Sequence, residues 1–301
     1  MVAILSHGAR IGALLFSASV LLGACRKEDP IAPDPLPDTE QPVLPIPGRD
    51  DNMALGNPSA AITSVLTPEN YLMVKPQYAL AYQNSRGTAR WVSWHLSTSW
   101  KGNAERCDCF SGDDALPFGF FQAVTQDYTN TGFNRGHLCP SDDRDGSDAD
   151  NEVTFLMTNV MPQAPILNQV TWGNLEDYAR SLIYDGYEIY TVAGGYGAGG
   201  SGSNGGTTTT IAFGNITVPS RYWKVLVVLE EGEDDINRIS STTRVIAVDM
   251  PNTQTVNASP WGAYRTTVDA IEDTTGLDLL SLVPAAIQGA LESAVDDGPT
   301  Q

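Results

Sequence analysis

Residues 133–144 read FNRGHLCPSDDR, an imidazole two residues after an arginine and just before a run of aspartates. The chain has only three histidines, and His7 falls in an apolar leader. That leaves His95 and His137 as the side chains whose unperturbed pKa suits proton transfer near neutrality. His95 sits in ARWVSWHLS (89–97), which alternates as a strand does, with Trp91 and Ser93 on its face and Val92, Trp94 and Leu96 opposite. It reads as a structural strand histidine, so His137 is the candidate general base. A second set of reactive types lies in PQAPILNQVTWGNLEDYARSL (162–182), where Asn168, Trp172, Glu176 and Arg180 recur every four residues. On a regular helix Asn168 and Glu176 are about 80° apart, so an amide oxygen and a carboxylate can converge on one site. Glu176 and Arg180 form an i,i+4 acid–base pair in the favourable order.

These groups need a scaffold. The spacing predicts a helix over 167–184, with Trp172, Leu175, Ala179 and Leu182 as its apolar stripe. QYALAYQN (77–84) and residues 89–97 read as strands, and EVTFLMTN (152–159) as a buried strand. YEIYTVAGG, TIAFGNITVP, RYWKVLVVL and TRVIAVDM are four further strand candidates, and helices are expected around TTVDAIEDTTG and VPAAIQGALESAV. Residues 100–132 are irregular and rich in Gly and Asp. Strands interrupted by isolated helices indicate an α+β layer structure rather than a regular βαβ alternation.

The chain of 301 residues is long enough to bury a sizeable core, and it shows no internal repeat. Its formal charge is −19. Residues 26–51 hold seven acids and three bases and residues 52–301 hold 29 acids and 13 bases, so the globular part is itself acidic. A polyanion partner then requires local positive charge or a bound metal. Arg10 precedes the apolar run IGALLFSASVLLGA, too short to span a bilayer and suited to a signal-peptide core. Gly23 and Ala24 before Cys25 resemble a bacterial lipobox, which implies a signal peptide over residues 1–24 and Cys25 as the lipidated N-terminus; an ordinary secretory signal with an incidental cysteine is the other reading. Residues 25–52 carry seven prolines and no apolar periodicity, as in a stiff, acidic tether, and residues 53–301 form the folded domain. The expected location is the outer membrane or cell surface, with the membrane as a partner through the lipid and no protein partner evident.

Three cysteines remain in the domain. Cys107 and Cys109 are too close in sequence to bridge comfortably, so a bond from Cys139 to one of them is expected. GYGAGG (195–200) fits a dinucleotide fingerprint in letters, but GSGSNGGTTTT follows where a helix must open, so it reads as a surface loop. SDDRDGSDADNE (141–152) has calcium-loop spacing at Asp143, Asp145, Gly146 and Glu152, yet begins with Ser141, and reads as a solvated acidic loop.

With Asn134-Arg135-Gly136-His137, then Thr158-Asn159, Pro162-Gln163, Asn168, Trp172 and Leu175-Glu176 in that order, the chain resembles the DNA/RNA non-specific endonuclease family. These are the ββα-metal nucleases, whose signature is DRGH, and the resemblance spans roughly residues 60–292. It implies a central antiparallel sheet with flanking helices and the hydrolysis of phosphodiester bonds in DNA and RNA with Mg²⁺ or Mn²⁺. It implies His137 as general base, Asn168 as the direct metal ligand, and Glu176 holding metal-bound water. Arg106 and Arg180 match arginines that contact the scissile phosphate, Arg135 supports the phosphate site, and Asn159 braces it from a strand end.

Asn134 stands where the family usually has Asp, which implies a reduced rate or an altered metal preference rather than an inactive protein. The acidic surface implies weak, salt-sensitive attraction to nucleic acid. Three other readings draw on parts of the same sequence. They are a catalytically impaired surface-binding lipoprotein on the same fold, a phosphoesterase of small nucleotides, and a calcium-binding matrix protein resting on 141–152.

Overall fold

The structure, a computed structural model, describes residues 51–301. The expected signal peptide, the expected lipidation site Cys25 and nearly all of the proline-rich tether lie outside the described residues.

The strands are β1 (Tyr71–Val74), β2 (Ala79–Gln83), β3 (Thr88–Leu96), β4 (Asn134–His137), β5 (Val160–Gln163), β6 (Tyr187–Tyr196), β7 (Thr210–Ile211), β8 (Ile216–Thr217), β9 (Arg221–Glu230), β10 (Arg244–Pro251) and β11 (Arg265–Thr266). The helices are α1 (Asp148–Thr154), α2 (Gly173–Tyr184), α3 (Asp235–Arg238), α4 (Val268–Thr275) and α5 (Ala285–Glu292). Seven strands form one antiparallel sheet in the order β1-β2-β3-β6-β9-β10-β11. β4 and β5 make a separate antiparallel pair. Among the described residues no helix is long and apolar enough to cross a membrane.

The sheet is buried on both faces, which is why β6, β9 and β10 read as nearly continuous apolar runs. On one face Leu80, Val92, Trp94, Leu226 and Val248 pack against Leu167, Trp172, Leu175 and Leu182 of the helix, with Leu138 and Met161 from the β4–β5 pair. On the other, Ala81, Trp91, Val192, Val225 and Ala247 meet Val268 and Ile271 of α4 and Leu291 of α5. Period-two alternation along β9 puts Lys224 on the first face, between Tyr222 and Leu226.

Four local expectations are corrected. EVTFLMTN is not a strand: Ser147 caps α1 by accepting the Asp150 N–H (3.1 Å), Asp148 and Asp150 suit its first turn, and the buried strand begins at Val160. TIAFGNITVP is split into β7 and β8 by a turn in which Ala212 and Phe213 take positive φ (52° and 55°). The 141–152 loop is not a solvated one, since Ser141, Asp143 and Arg144 are buried. Trp94 Nε1 and Arg180 bind Asp143, and Lys101 binds Asp145, so these carboxylates face protein donors. The disulfide joins Cys107 to Cys109, and Cys139 is a buried free thiol. Asp108 between the pair adopts φ 49°, which curls the chain and brings the two Cα atoms to 5.1 Å, an ordinary bridging distance. Cys139 lies in the core behind β4, where burial pushes its thiol up to about 12. GYGAGG runs off the end of β6 into a turn, with Gly197 and Gly199 in the positive-φ region.

Candidate active site

β4 and β5 pair in the register Asn134↔Gln163 and His137↔Val160, and the chain then turns directly into the helix that ends as α2. β4 and this helix line a cavity of about 560 Å³, which the 106–110 and 140–142 segments complete, while β5 backs β4. Gly136 is required by this pairing. A Cβ there would lie 2.2 Å from Gln163 Oε1 and 2.6 Å from Gln163 Cβ, so only glycine lets β5 approach.

His137 ends β4 and lines the cavity. It is 9% exposed, with the Phe155 ring perpendicular to it at 4.8 Å and the Phe110 ring at 5.1 Å. Burial first, then the charges of Arg106 and Arg135, lower its pKa from 6.5 to about 3, so the imidazole is neutral near pH 7. Nε2 is shut off from solvent without a hydrogen-bond partner, which leaves Nδ1 as the ring nitrogen with access to the cavity. The strand end is fixed from behind. The fully buried Asn159 accepts the Cys139 N–H (2.9 Å) and donates to the Cys139 and Thr154 carbonyls (2.8 Å each).

The predicted helix is not regular. Leu167–Trp172 is π-helical and only Gly173–Tyr184 is α-helical, so the widened turn coincides with Asn168. Asn168 and Glu176 nevertheless line the same cavity as His137, together with Asn134, Arg135 and Arg106. Arg106 donates to Ser141 Oγ (2.8 Å) and lies over the Phe155 ring at 4.8 Å; Arg135 lies over Phe110 at 4.3 Å. The rings hold both guanidinium groups by their faces and leave most N–H donors available. Arg180 is placed differently from the sequence expectation. Its guanidinium is bound by Asp143 (3.0 Å) and Asp177 (2.5 Å), and it is not among the residues lining the cavity.

Glu176 is held by a residue that the sequence reading did not single out. Lys224 on β9 is 2% exposed and puts Nζ 3.1 Å from Glu176 Oε1, 4.2 Å from the Trp172 ring centre and 5.3 Å from that of Trp94. Burial raises the Glu176 pKa, and Lys224 and then Arg180 oppose that shift. The signal was present in the sequence: a lysine at a core-facing register of an otherwise apolar strand demands an acidic partner.

The lining suits a hard divalent cation. The Asn168 side chain makes no hydrogen bond among the described residues and offers an amide oxygen beside the Glu176 carboxylate. Two arginines there face three carboxylates, Asp108, Asp142 and Glu176, so an incoming phosphate meets attraction only if a cation tips the balance. His95 is fully buried on β3, 3.1 Å from Glu188 Oε2, and does not line this cavity.

The family model for DNA/RNA non-specific endonucleases matches residues 56–286. A nuclease of Nostoc sp. (strain PCC 7120) is 48% identical over 251 residues, 83% of this chain and 88% of the relative. Human mitochondrial endonuclease G is 30% identical over 210 residues, 68% of each chain. Among solved structures, a chain of the EndoG/EndoGI complex superposes with a TM-score of 0.63 at 23% identity, covering 77% of this chain and 91% of that one, which shows a shared fold.

Proposed function

The chain belongs to the DNA/RNA non-specific endonuclease family and is a nuclease; we propose that it cleaves DNA and RNA by hydrolysis, with His137 as general base beside a cation held by Asn168. The observation that carries this reading is the neutral, unpartnered imidazole of His137 in one cavity with Arg106, Arg135, Asn168 and Glu176. Asn168 would bind Mg²⁺ or Mn²⁺ directly, and Glu176 would act through its hydration shell. The cation supplies Lewis-acid stabilisation of the phosphate and of the departing 3′ oxygen.

The protein's own groups do the rest. Arg106 and Arg135 grip phosphate oxygens by charge-assisted hydrogen bonds, which read backbone and not base edges. Nδ1 of His137 takes a proton from the water that attacks phosphorus; the P–O3′ bond breaks and the leaving oxygen is protonated from solvent. Arg180, bound to Asp143 one turn beyond Glu176, contributes positive charge that opposes the burial-driven rise of the Glu176 pKa. Asn134 at the start of β4 borders the phosphate path, and Asn159 keeps the His137 backbone in place.

Supercoiled plasmid and RNA incubated with the mature chain should both be degraded when Mg²⁺ is present and survive in EDTA. His137→Ala should lower the rate about 10²–10⁴-fold. A His137→Ala enzyme that cleaves at the wild-type rate would refute the assignment of the base. We propose further that export through the signal peptide and lipidation of Cys25 place the nuclease at the outer membrane or cell surface. Cys25→Ala should then move the protein from the membrane to the soluble fraction, and an unchanged distribution would refute the anchor.

A further inference from the structure

A second group of acids lies on the opposite face of the sheet from the nuclease site. Asp269 and Glu272 stand three residues apart on α4 and so share a side of that helix, and Glu292 closes α5. One carboxylate oxygen from each lies within 4.8 Å of the other two. Asp278 acts on both Glu272 and Glu292 as a further negative charge. Among the described residues none of these four acids makes an ion pair, so nothing basic compensates them.

The most buried member is also the least satisfied. Glu292 is 7% exposed; Gln288, one turn back on α5, offers it a hydrogen bond, and Oε1 is still left buried with no partner. A buried carboxylate oxygen without a donor is costly, and like charges around it add to that cost. Glu272 is crowded as well: burial and the charges of Glu292, Asp278 and Asp269 raise its pKa to about 7, although the Leu279 N–H donates to its Oε1 at 2.6 Å. That hydrogen bond fixes the Glu272 carboxylate and leaves its second oxygen available.

We infer that Asp269, Glu272 and Glu292 form a binding site for a divalent cation of the calcium class, which clips α5 to α4. Calcium takes oxygen ligands at about 2.3–2.6 Å, so two ligands on opposite sides of it are about 5 Å apart, as far as these oxygens spread. Magnesium, at about 2.1 Å and with stricter geometry, would need a tighter cluster. Asp269 is exposed, so water can complete the coordination. A site with few rigid ligands and an open side belongs to the class with Kd of about 10⁻⁴–10⁻³ M.

The test is thermal unfolding of the whole mature chain in EDTA and in 10 mM CaCl₂, for wild type, Glu292→Gln, Asp269→Asn and Asn168→Ala. With Kd near 1 mM, calcium should raise Tm by about 3–6 °C in wild type and in Asn168→Ala. Glu292→Gln and Asp269→Asn should lose most of that rise and, having shed one repelling charge, melt no lower than wild type in EDTA. Asp269→Asn, at an exposed position, keeps the test informative if Glu292→Gln does not fold. No rise in wild type would overturn the inference. An equal rise in both carboxamide variants would place the ion elsewhere, and loss of the rise in Asn168→Ala would assign it to the nuclease site; either result also overturns it.

Discussion

Replacing Lys224 by Met removes an ammonium while nearly preserving the shape of the side chain that fills the space between Trp172 and Trp94. At 3.1 Å and an effective dielectric near 20, the attraction to Glu176 is about 5 kcal/mol before desolvation is counted. Breaking a buried pair from one side typically costs about 3–5 kcal/mol, because the remaining charge stays buried. Glu176 keeps 15% side-chain exposure and the nearby charge of Arg180, which argues for the lower end, about 3 kcal/mol. Adding Glu176→Gln removes the stranded charge, so the double variant should return to within about 1 kcal/mol of wild type, a recovery of about 2–3 kcal/mol over Lys224→Met alone. Urea unfolding in EDTA reads this directly, since a loss of 3 kcal/mol moves the midpoint by about 1 M for a slope near 3 kcal/mol/M. If Lys224→Met unfolds within about 0.5 kcal/mol of wild type, or if the double variant is no more stable than the single one, the pair does not hold Glu176 as argued.

Protonation of His137 should couple to folding. Its folded pKa, about 3, lies below the unfolded value near 6.5, so the unfolded chain binds the extra proton in between and stability rises with pH across that window. The contribution is complete above pH 6.5 and falls by about 3 kcal/mol on going to pH 4.5, a slope that His137→Asn should flatten in urea titrations. Identical pH profiles for the two proteins would contradict the burial argument. Gly136→Ala should destabilise by about 1–3 kcal/mol and abolish cleavage, because its methyl group collides with Gln163; an active, equally stable variant would show that β5 can yield. Asn134→Asp, which restores the DRGH signature, should leave cleavage equal or faster in plasmid assays, and a large loss of activity would refute the view that the amide is the weaker choice. Cleavage should also fall steeply between about 50 and 200 mM salt, as expected for phosphate contacts on an acidic protein; a flat profile would argue against that account.

How far the sequence carried the reading depends on range. His137, Asn168 and Glu176 were legible because two short segments carry all three, and each segment's periodicity or motif fixes its local shape. The sheet was legible wherever apolar runs were long, as in β6, β9 and β10. β1 and β11 escaped because four and two residues are too few to show a period. The π-turn at Asn168 escaped because no residue type marks it. Lys224 was visible as an oddity, but its partner lies 48 residues away, and only the fold pairs them. The disulfide was misjudged because sequence spacing says nothing of φ at Asp108. The family resemblance assigns Arg180 to phosphate, while the loop carrying Asp143, remote in sequence, binds its guanidinium.

Asn168 and Glu176 share one rod with Leu175, Tyr178, Ala179 and Leu182, which lie in the main core. The rod cannot loosen at the cavity without unpacking the layer beneath it. Heat inactivation should therefore coincide with global melting, as one cooperative loss with no softened, inactive intermediate before it.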